Sequence, residues 1–598
     1  MADVSDDGGS VANQIDHSEE TSPEDLNAVT RENALRVERN CRRAERRADA
    51  VDLAAVSDDE PLIEVPSRTT SPAPSPQETP SSVGSSPSLA MHSALQNFDI
   101  ICTICSYVHR GSLPALASTC RVFERPALDV LWRNLRSVEP LVKCLPSDLF
   151  GIEKGHMALL KPLDAKTWNI LCKYTSRVRS ITQLDRLAVI KPLASLILSC
   201  PLTPASMFPN LRELKWHADE THCAAEFLRM AFVPTLLSLD VVIYSASSIF
   251  LSVLSSLGTL CPQLQRMSVE SRSPTNDSDM VLKASPFIAQ SISQLHHLRE
   301  LFVWDLGNQG NEHLAQLRAL RKLWLDLETS SVWERRLRLR FPGFRDLDFL
   351  MFFITNLEHA LEFLNSLQVI GSKSVQISFI PTLPFTSPST TLYQFFATLG
   401  EICDHDNLVS FSLDQCSVKV NAKLDVFTPL YPCRNLTRLL IENGCDISMT
   451  DKELLQLMRA WPKLEVLAIS RFVSIKGTTI PTFRGLISFP RLCPALTSLT
   501  LVIDTTLWHG IDLKSPGGGI RNQNLKNLVL GNSPVGSPAQ VALILNGLFP
   551  NLKKINLNCW YSAPKKFLSQ QQAAMPQWEA VNFSLLSFSI VKERCAET

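Results

Sequence analysis

From about residue 170 to residue 560, one pattern of apolar and variable positions recurs along the chain. An apolar anchor is followed by two variable positions, an apolar residue, one variable position and another apolar residue. Alternation over the last three positions predicts a short strand with one face in a core. Twelve copies fit the pattern, with anchors at Leu211, Leu236, Leu264, Leu298, Leu320, Phe344, Leu408, Leu436, Leu464, Leu496, Leu525 and Leu552.

The segments between copies carry helical periodicity, with apolar residues at steps of three and four. Helices are predicted at residues 249–257, 357–370, 392–403, 452–461 and 541–549. A proline often precedes the anchor, where it stops the helix before the strand begins: Pro209, Pro262, Pro462, Pro494 and Pro550. One interval of 64 residues leaves room for a degenerate copy at Val375 and Ile377, and a weak first copy fits at Val178 and Ile181. Strand and helix units therefore alternate, which predicts a parallel sheet.

Upstream of the repeats, apolar residues at helical spacing predict three short helices. The three stripes consist of Phe98, Ile101, Ile104, Cys105 and Val108, then Leu113, Leu116, Ala117 and Cys120, then Leu128, Leu131, Trp132 and Leu135. Such helices enclose one small core, and their remaining apolar faces serve for docking.

These helices resemble an F-box over about 45 residues, on Leu95, Phe98, Ile100, Ile101, Ile104, Leu113, Leu116, Ala117, the Cys120-Arg121-x-Phe123 element and the Leu131-Trp132-Arg133 end. The resemblance implies docking to a Skp-family adaptor and, through it, to a cullin-RING ubiquitin ligase. The adaptor contacts it implies are Leu95, Phe98, Ile100, Ile101, Ile104 and Leu113, whereas Leu116 and Cys120 pack internally. Gln96 replaces the usual proline of the motif. The alternative is an ordinary three-helix cap for the repeats.

The repeats are similar to leucine-rich repeats, and the whole chain resembles the F-box/leucine-rich-repeat class of substrate receptors, in forms common in fungi. The fold class implied is α/β: an irregular solenoid with parallel strands on its concave face and helices on its convex face. The Asn or Cys usual eight residues after the anchor is nearly absent, and only Cys416 matches it.

In such strands, the residues between the buried positions face the concave surface. These positions hold Glu300, Phe302 and Trp304 in one repeat and Lys322, Trp324 and Asp326 in the next, followed by Asp346 and Asp348. Three large aromatic side chains on adjacent strands, flanked by charges, predict a target-binding patch. The alternative is that these aromatic residues are covered by the chain's own helices or by an inserted loop.

Composition divides the chain further. Residues 1–91 carry 18 acidic residues, 8 arginines and no lysine, a net charge of -10 within a chain of -1. This segment is predicted to be a disordered, acidic, Ser/Pro-rich tail with a short Arg-rich helix. Residues 92–140 form the F-box-like module, 141–205 a helical linker with the weak first repeat, 206–562 the solenoid and 563–598 a C-terminal cap or tail.

No residue group supports catalysis, a cofactor or a metal site. The pair Cys102 and Cys105 has no second pair or histidine at ligand spacing, and His217, His222 and Cys223 span a strand end and a loop. The arginines at 335, 336, 338 and 340 either contact an acidic or phosphorylated partner or are solvated. The 16 scattered cysteines and the acidic start predict a cytoplasmic or nuclear location.

Together these features predict a non-enzymatic substrate-recognition subunit of an SCF-type ubiquitin ligase. Its partners would be the Skp-family adaptor, the cullin-RING core and an unknown target protein, with neither nucleic acid nor a membrane. The alternative is a leucine-rich-repeat interaction scaffold without a ligase role.

Overall fold

A computed structural model describes residues 97–153, 156–161, 164–183, 207–217, 222–244, 247–272, 278–327, 341–380, 389–414, 420–441, 445–475 and 477–597. Several sequence predictions lie outside these ranges: the acidic tail with its Arg-rich helix, Leu95, Cys416 and the arginine run at 335–340. The side chains of His222 and Cys223 also lie outside the description.

Three helices begin the described chain and enclose a small core of their own. They are α1 (Phe98–Tyr107), α2 (Leu113–Thr119) and α3 (Arg121–Arg133). Asn97 caps α1, since its side-chain oxygen accepts the Asp99 N–H at 2.9 Å. The core consists of Ile101, Cys105, Leu113 and Ala127. This unit is called the three-helix module below.

The rest of the described chain is α/β and contains a 14-stranded parallel sheet with a hairpin and a second small sheet beside it. In chain order, the strands are β1 (Asn134–Leu135), β2 (Phe150–Glu153), β3 (His156–Leu159), β4 (Ser180–Gln183), β5 (Glu213–Trp216), β6 (Ser238–Ile243), β7 (Arg266–Ser271), β8 (Glu300–Trp304), β9 (Lys322–Asp326), β10 (Phe344–Ile354), β11 (Ile370–Phe379), β12 (Ser410–Asp414), β13 (Val420–Lys423), β14 (Arg438–Ile441), β15 (Cys445–Ser448), β16 (Val466–Ile469), β17 (Ser498–Leu501) and β18 (Asn527–Val529). The long sheet runs β1-β4-β5-β6-β7-β8-β9-β10-β11-β12-β14-β16-β17-β18, while β2 pairs with β3 and β13 with β15.

Helices connect most of these strands. They are α4 (Glu139–Lys143), α5 (Ala165–Thr175), α6 (His222–Ala231), α7 (Ser248–Ser255), α8 (Leu257–Leu260), α9 (Ser278–Ser293), α10 (Gly307–Gln316), α11 (Leu357–Asn365), α12 (Ser389–Ile402), α13 (Asp451–Ala460), α14 (Phe483–Leu486), α15 (Phe489–Leu492), α16 (Pro538–Leu548) and α17 (Leu568–Glu597). Local sequence explains their ends: Thr450 and Glu453 form a capping box at the start of α13.

Alternation along each strand places one set of side chains in the core. In the ladder from β5 to β10, the residues at equivalent positions are all buried: Leu214, Leu239, Met267, Leu301, Leu323 and Leu350. They belong to one continuous cluster with the buried faces of the helices, which extends from Leu135 to Leu585. The sheet and its helices therefore share a single core.

The prolines before the anchors lie in one recurrent turn. In each case the anchor N–H donates to the carbonyl of the residue before the proline, at 3.0–3.2 Å. The five pairs are Leu211 with Phe208, Leu264 with Cys261, Leu464 with Trp461, Leu496 with Cys493 and Leu552 with Phe549. Pro262, Pro462 and Pro494 each lie between a helix and a strand, as predicted. No strand follows Pro550, and the residues that precede the turn at Pro209 lie outside the described ranges.

Eleven of the twelve predicted copies are strands, and both weak copies are strands as well, at β4 and β11. The copy at Leu552 was predicted wrongly, because no strand forms there. The copy at Phe344 is a strand with a register shift between Phe344 and Leu347. As a result, Leu350 and Phe352 occupy the buried positions that the pattern gave to Leu347 and Phe349.

The three-helix module is joined directly to the sheet. Helix α3 ends at Arg133, and β1 begins at the next residue. The carbonyl of Arg133 accepts the Arg179 N–H at 2.8 Å. Arg177 forms an ion pair with Asp129 on α3, and the Trp132 and Tyr174 rings lie 4.6 Å apart. Backbone, ion-pair and ring contacts therefore all fix α3 against the first repeat.

Among the described residues, no helix combines the length and apolar character needed to cross a membrane.

Candidate functional site

The face of the long sheet that lies away from its buried leucines is called the outer face here. It consists of the strand positions that alternate with the buried ones. Along most of its length these side chains are short or polar, such as Ser238, Ser268, Ser374, Ser410 and Ser412. The aromatic side chains of this face lie on β8, β9 and β10 among the described strands.

Four aromatic residues form a patch on these three strands. Phe302 of β8 lies opposite Trp324 of β9, and Phe349 and Phe353 follow on β10. Ring centroids are 5.5 Å apart both between Phe302 and Phe353 and between Trp324 and Phe349. All four side chains are half-buried. They are called the aromatic patch below.

Met351 lies at the centre of this arrangement. It faces Trp324 in the ladder and stands between Phe349 and Phe353 along β10. Its side chain is only 2% exposed although it lies on the outer face. The aromatic patch is therefore a packed apolar surface rather than four separate rings.

Charged side chains border the patch. Lys322 pairs with Glu300 at 3.4 Å, and Lys373 pairs with Asp348 at 2.7 Å. Asp326 lies opposite Phe353 in the ladder. Aromatic rings surrounded by a polar rim are the usual composition of a protein-binding hot spot.

The prediction for Trp304 was wrong. This residue is 1% exposed, and its indole N–H donates to the Ser285 hydroxyl of α9 at 2.8 Å. Trp304 is the last residue of β8, where the alternation of the strand ends, so its ring turns toward the helix and packs there. The other five predicted target-binding residues, Glu300, Phe302, Lys322, Trp324 and Asp326, are half-buried on the outer face.

Phe349 and Phe353 were missed by the sequence prediction. The prediction placed Phe349 in the core, because it took the copy of the pattern that begins at Phe344. The same sequence contains a second copy three residues later, with Leu347, Leu350 and Phe352 in the apolar positions. The structure uses this second copy. The second copy places both phenylalanines outside the core, but only pairing with β9 selects that copy.

At the C-terminal end, the chain itself covers the outer face. Phe472, which follows β16, packs against Trp560 and Phe567 with ring centroids 5.0 and 5.3 Å apart. Val529 of β18 belongs to the same cluster. The open apolar surface therefore lies in the middle of the sheet, at the aromatic patch.

A cluster of charged residues lies beside the patch, on β5 to β7. Asp240 is 3.3 Å from His217 and 4.0 Å from Lys215, and Glu270 pairs with Arg272 at 3.0 Å. Burial, the largest effect, raises the pKa of Glu270, while Arg272 opposes that shift. This cluster is a charged region on strands that precede the patch, and its charges pair with one another.

The three-helix module exposes part of its predicted adaptor surface. Phe98 is 53% exposed and Ile100 is 40% exposed, both in the first turn of α1, and Ile104 is half-buried. Ile101 and Leu113 are fully buried in the core of the module, so these two residues stabilise the helices and offer no contact surface. The expectation that Cys120 packs internally was also wrong, since its side chain is exposed.

Across the part of the chain that the structure describes, no group of His, Cys, Asp or Glu side chains is arranged to hold a metal ion. Several cysteines lie in the core, where burial raises the pKa of both Cys261 and Cys493 to about 12. Such thiols remain protonated at neutral pH and act as packing groups.

No protein-family model matches this sequence, and no curated protein is similar to it at a significant level.

The two tryptophans of the predicted patch should respond differently to truncation. Trp304→Ala removes a buried ring and its hydrogen bond, and we expect it to lower the free energy of unfolding by about 3–5 kcal/mol. Trp324→Ala removes a half-buried ring and should cost at most about 1–2 kcal/mol. Urea denaturation, followed by circular dichroism, measures the free energy of unfolding of both variants. Equal losses would contradict the placement of the two rings.

The partly buried carboxyl of Glu270 makes stability depend on pH. Because its pKa is raised in the folded state, its contribution is complete below the ordinary value of 4.5 and is lost as the pH rises through the raised value. Glu270→Gln is neutral at every pH. The stability of this variant relative to wild type should therefore increase from about pH 4 to about pH 7.

Denaturation midpoints at several pH values test this expectation. The matched control is Glu213→Gln, at a half-exposed glutamate on β5 that pairs with Arg266. A stability difference between Glu270→Gln and wild type that stays constant or shrinks with rising pH would show that the carboxyl is well solvated.

Proposed function

We propose that this protein is the substrate-recognition subunit of an SCF-type cullin-RING ubiquitin ligase. The three-helix module is the F-box and docks the Skp-family adaptor. The 14-stranded sheet with its helices is a leucine-rich-repeat solenoid whose outer face holds the target protein. The chain contributes binding and geometry, its partners supply the transfer chemistry, and it acts in the cytoplasm or the nucleus without nucleic acid or a membrane.

One observation carries this proposal: a helical module with its own core and exposed apolar side chains is fixed to one end of a long parallel sheet. The module needs none of the repeat core to bury its four central residues. A simple cap for the repeats would bury its apolar surface against them. Instead Phe98, Ile100 and Tyr107 of α1 are exposed.

These exposed residues define the adaptor surface of the proposal. Phe98 and Ile100 project from the first turn of α1, and Tyr107 lies in its last turn with 88% of its surface exposed. Val122, at the start of α3, adds a further exposed apolar side chain. Exposed apolar side chains on helices are groups that can dock into an apolar groove of a partner.

The junction between module and sheet supports a role in positioning. Helix α3 continues into β1, and the Arg177–Asp129 pair and the Trp132–Tyr174 contact brace the two parts. A receptor that presents a target for transfer needs a fixed distance between its two binding sites. The braced junction is suited to this requirement.

The aromatic patch supports target binding on the outer face. Its rings are held by their strands, so binding orders few side chains and loses little conformational entropy. Phe302 and Trp324 are its predicted contacts, with Phe349 and Phe353 beside them. Lys322 and Glu300, at its border, would favour targets of complementary charge.

Adaptor binding is tested with the full chain and a recombinant Skp-family adaptor by isothermal titration calorimetry. We expect wild type to bind and Phe98→Ala/Ile100→Ala to bind at least about tenfold more weakly, because exposed anchors are removed without touching the core. Leu160→Ala is the matched control, since Leu160 is an exposed leucine outside the module.

Two outcomes would contradict this part of the proposal. Absence of binding by wild type would favour the alternative of a repeat scaffold without a ligase role. Equal binding by wild type and the double variant would place the adaptor on another surface.

The target site is tested by proximity labelling in cells, combined with measurement of protein abundance. Target proteins should be labelled by wild type and by the adaptor variant, but not by Phe302→Ala/Trp324→Ala. Their abundance should rise with either variant, because each one breaks a different step of target removal. Tyr393→Ala, at an exposed aromatic residue of the helix layer, is the control. An identical set of labelled proteins with the patch variant would remove the aromatic patch as the target site.

A further inference from the structure

The last helix, α17, carries a row of exposed apolar side chains. Phe583 is 73% exposed, Leu586 and Val591 are each more than half exposed, and Ile590 is 42% exposed. Residues 583, 586 and 590 follow steps of three and four, so they lie along one side of the helix. This side is called the α17 stripe below.

The opposite side of α17 is packed and fixed. Trp578, Val581 and Leu585 are buried in the core of the sheet. The side chain of Asn582 bonds both backbone groups of Ile555, accepting the N–H at 2.7 Å and donating to the carbonyl at 3.1 Å. These contacts set the rotation of the helix, so the stripe cannot turn inward.

The sequence of the stripe is self-complementary about a point between Leu586 and Ser587. In an antiparallel pair with its two-fold axis there, each residue faces the one equally far on the other side of the axis. Phe583 then faces the partner's Ile590, and Leu586 faces the partner's Ser587, a small residue that allows close approach. Because the pair is two-fold symmetric, each of these contacts occurs twice in it.

Charges at the two ends of the stripe complete this match. Glu579 lies one turn before Phe583 and Arg594 one turn after Ile590, both exposed on the same side of the helix. In the antiparallel pair, Glu579 faces the partner's Arg594. A parallel pair would place like charges beside each other, which disfavours that arrangement.

We propose that α17 is a homodimerisation element and that two copies of this chain associate through their α17 stripes, antiparallel about a two-fold axis near Leu586. The interface is one pair of helices, so its area is at the small end of specific interfaces. Dimerisation is therefore reversible, with a dissociation constant in the micromolar range. This inference is independent of the proposed function.

Sedimentation equilibrium of the full chain across micromolar concentrations measures the association. Wild type should shift from monomer to dimer, and Phe583→Glu should weaken the dimer at least about tenfold, because it places a charge among the apolar side chains of the stripe. Leu507→Glu is the matched control, at another well-exposed leucine, and it should associate like wild type. Circular dichroism checks that each variant is folded.

A charge exchange distinguishes the antiparallel pair from unspecific association. Glu579→Arg alone and Arg594→Glu alone should each weaken the dimer, since each puts like charges face to face. The variant with both changes should recover wild-type affinity. A wild type that stays monomeric, Phe583→Glu associating as wild type does, or a double variant without recovery would overturn the proposal. Monomers that bind phosphatidylcholine–phosphatidylserine vesicles through Phe583 would overturn it in favour of a lipid surface.

Discussion

Parallel pairing of neighbouring strands is the constraint on which the rest of this structure depends. A four- or five-residue strand with two buried side chains has no stability alone, and it becomes stable only between two similar strands. The ladder from β1 to β18 therefore requires that every repeat place its apolar residues at the same height. One continuous core from Leu135 to Leu585 is the result. The aromatic patch occupies strand positions that this requirement leaves unused.

The repeat sequence was sufficient to predict most of the sheet because the same physical requirement acts on every copy. Eleven copies form strands, and Pro262, Pro462 and Pro494 separate a helix from a strand as predicted. Prediction failed where local pattern alone could not decide. At Leu552 the pattern is present, but the next element is a helix, and Asn582 takes the hydrogen bonds that a further strand would have made.

The candidate site shows the same limit at the level of single residues. Two overlapping copies of the pattern exist between Phe344 and Phe352, and only pairing with β9 selects between them. That choice turns Phe349 and Phe353 outward and supplies two of the four rings of the aromatic patch. The prediction that Trp304 lies on the outer face was wrong for a related reason. Alternation holds within a strand, but at its last residue the ring is free to pack against Ser285 of α9.

The residues predicted to contact an adaptor show that helical spacing predicts helices better than it predicts which side chains are exposed. Apolar residues at helical spacing are needed for the core of a small module and for its docking surface alike. Periodicity cannot separate Ile101 and Leu113, which are buried, from Phe98 and Ile100, which are exposed. The separation depends on how α1, α2 and α3 cross, and that geometry is tertiary.

Exposed apolar side chains are found on the helices at the two ends of the sheet, for a physical reason. Inside the ladder, each strand has a neighbour on both sides, but the first and last repeats must bury one side against something else. At the β1 end the neighbouring element is helix α3 of the three-helix module, and beyond β18 it is helix α17. A helix that closes a repeat array has one face in the core and the other in solvent. Apolar residues on that second face, such as Phe583 on α17, add nothing to closure, and the proposed pairing of two α17 helices would give them a physical role.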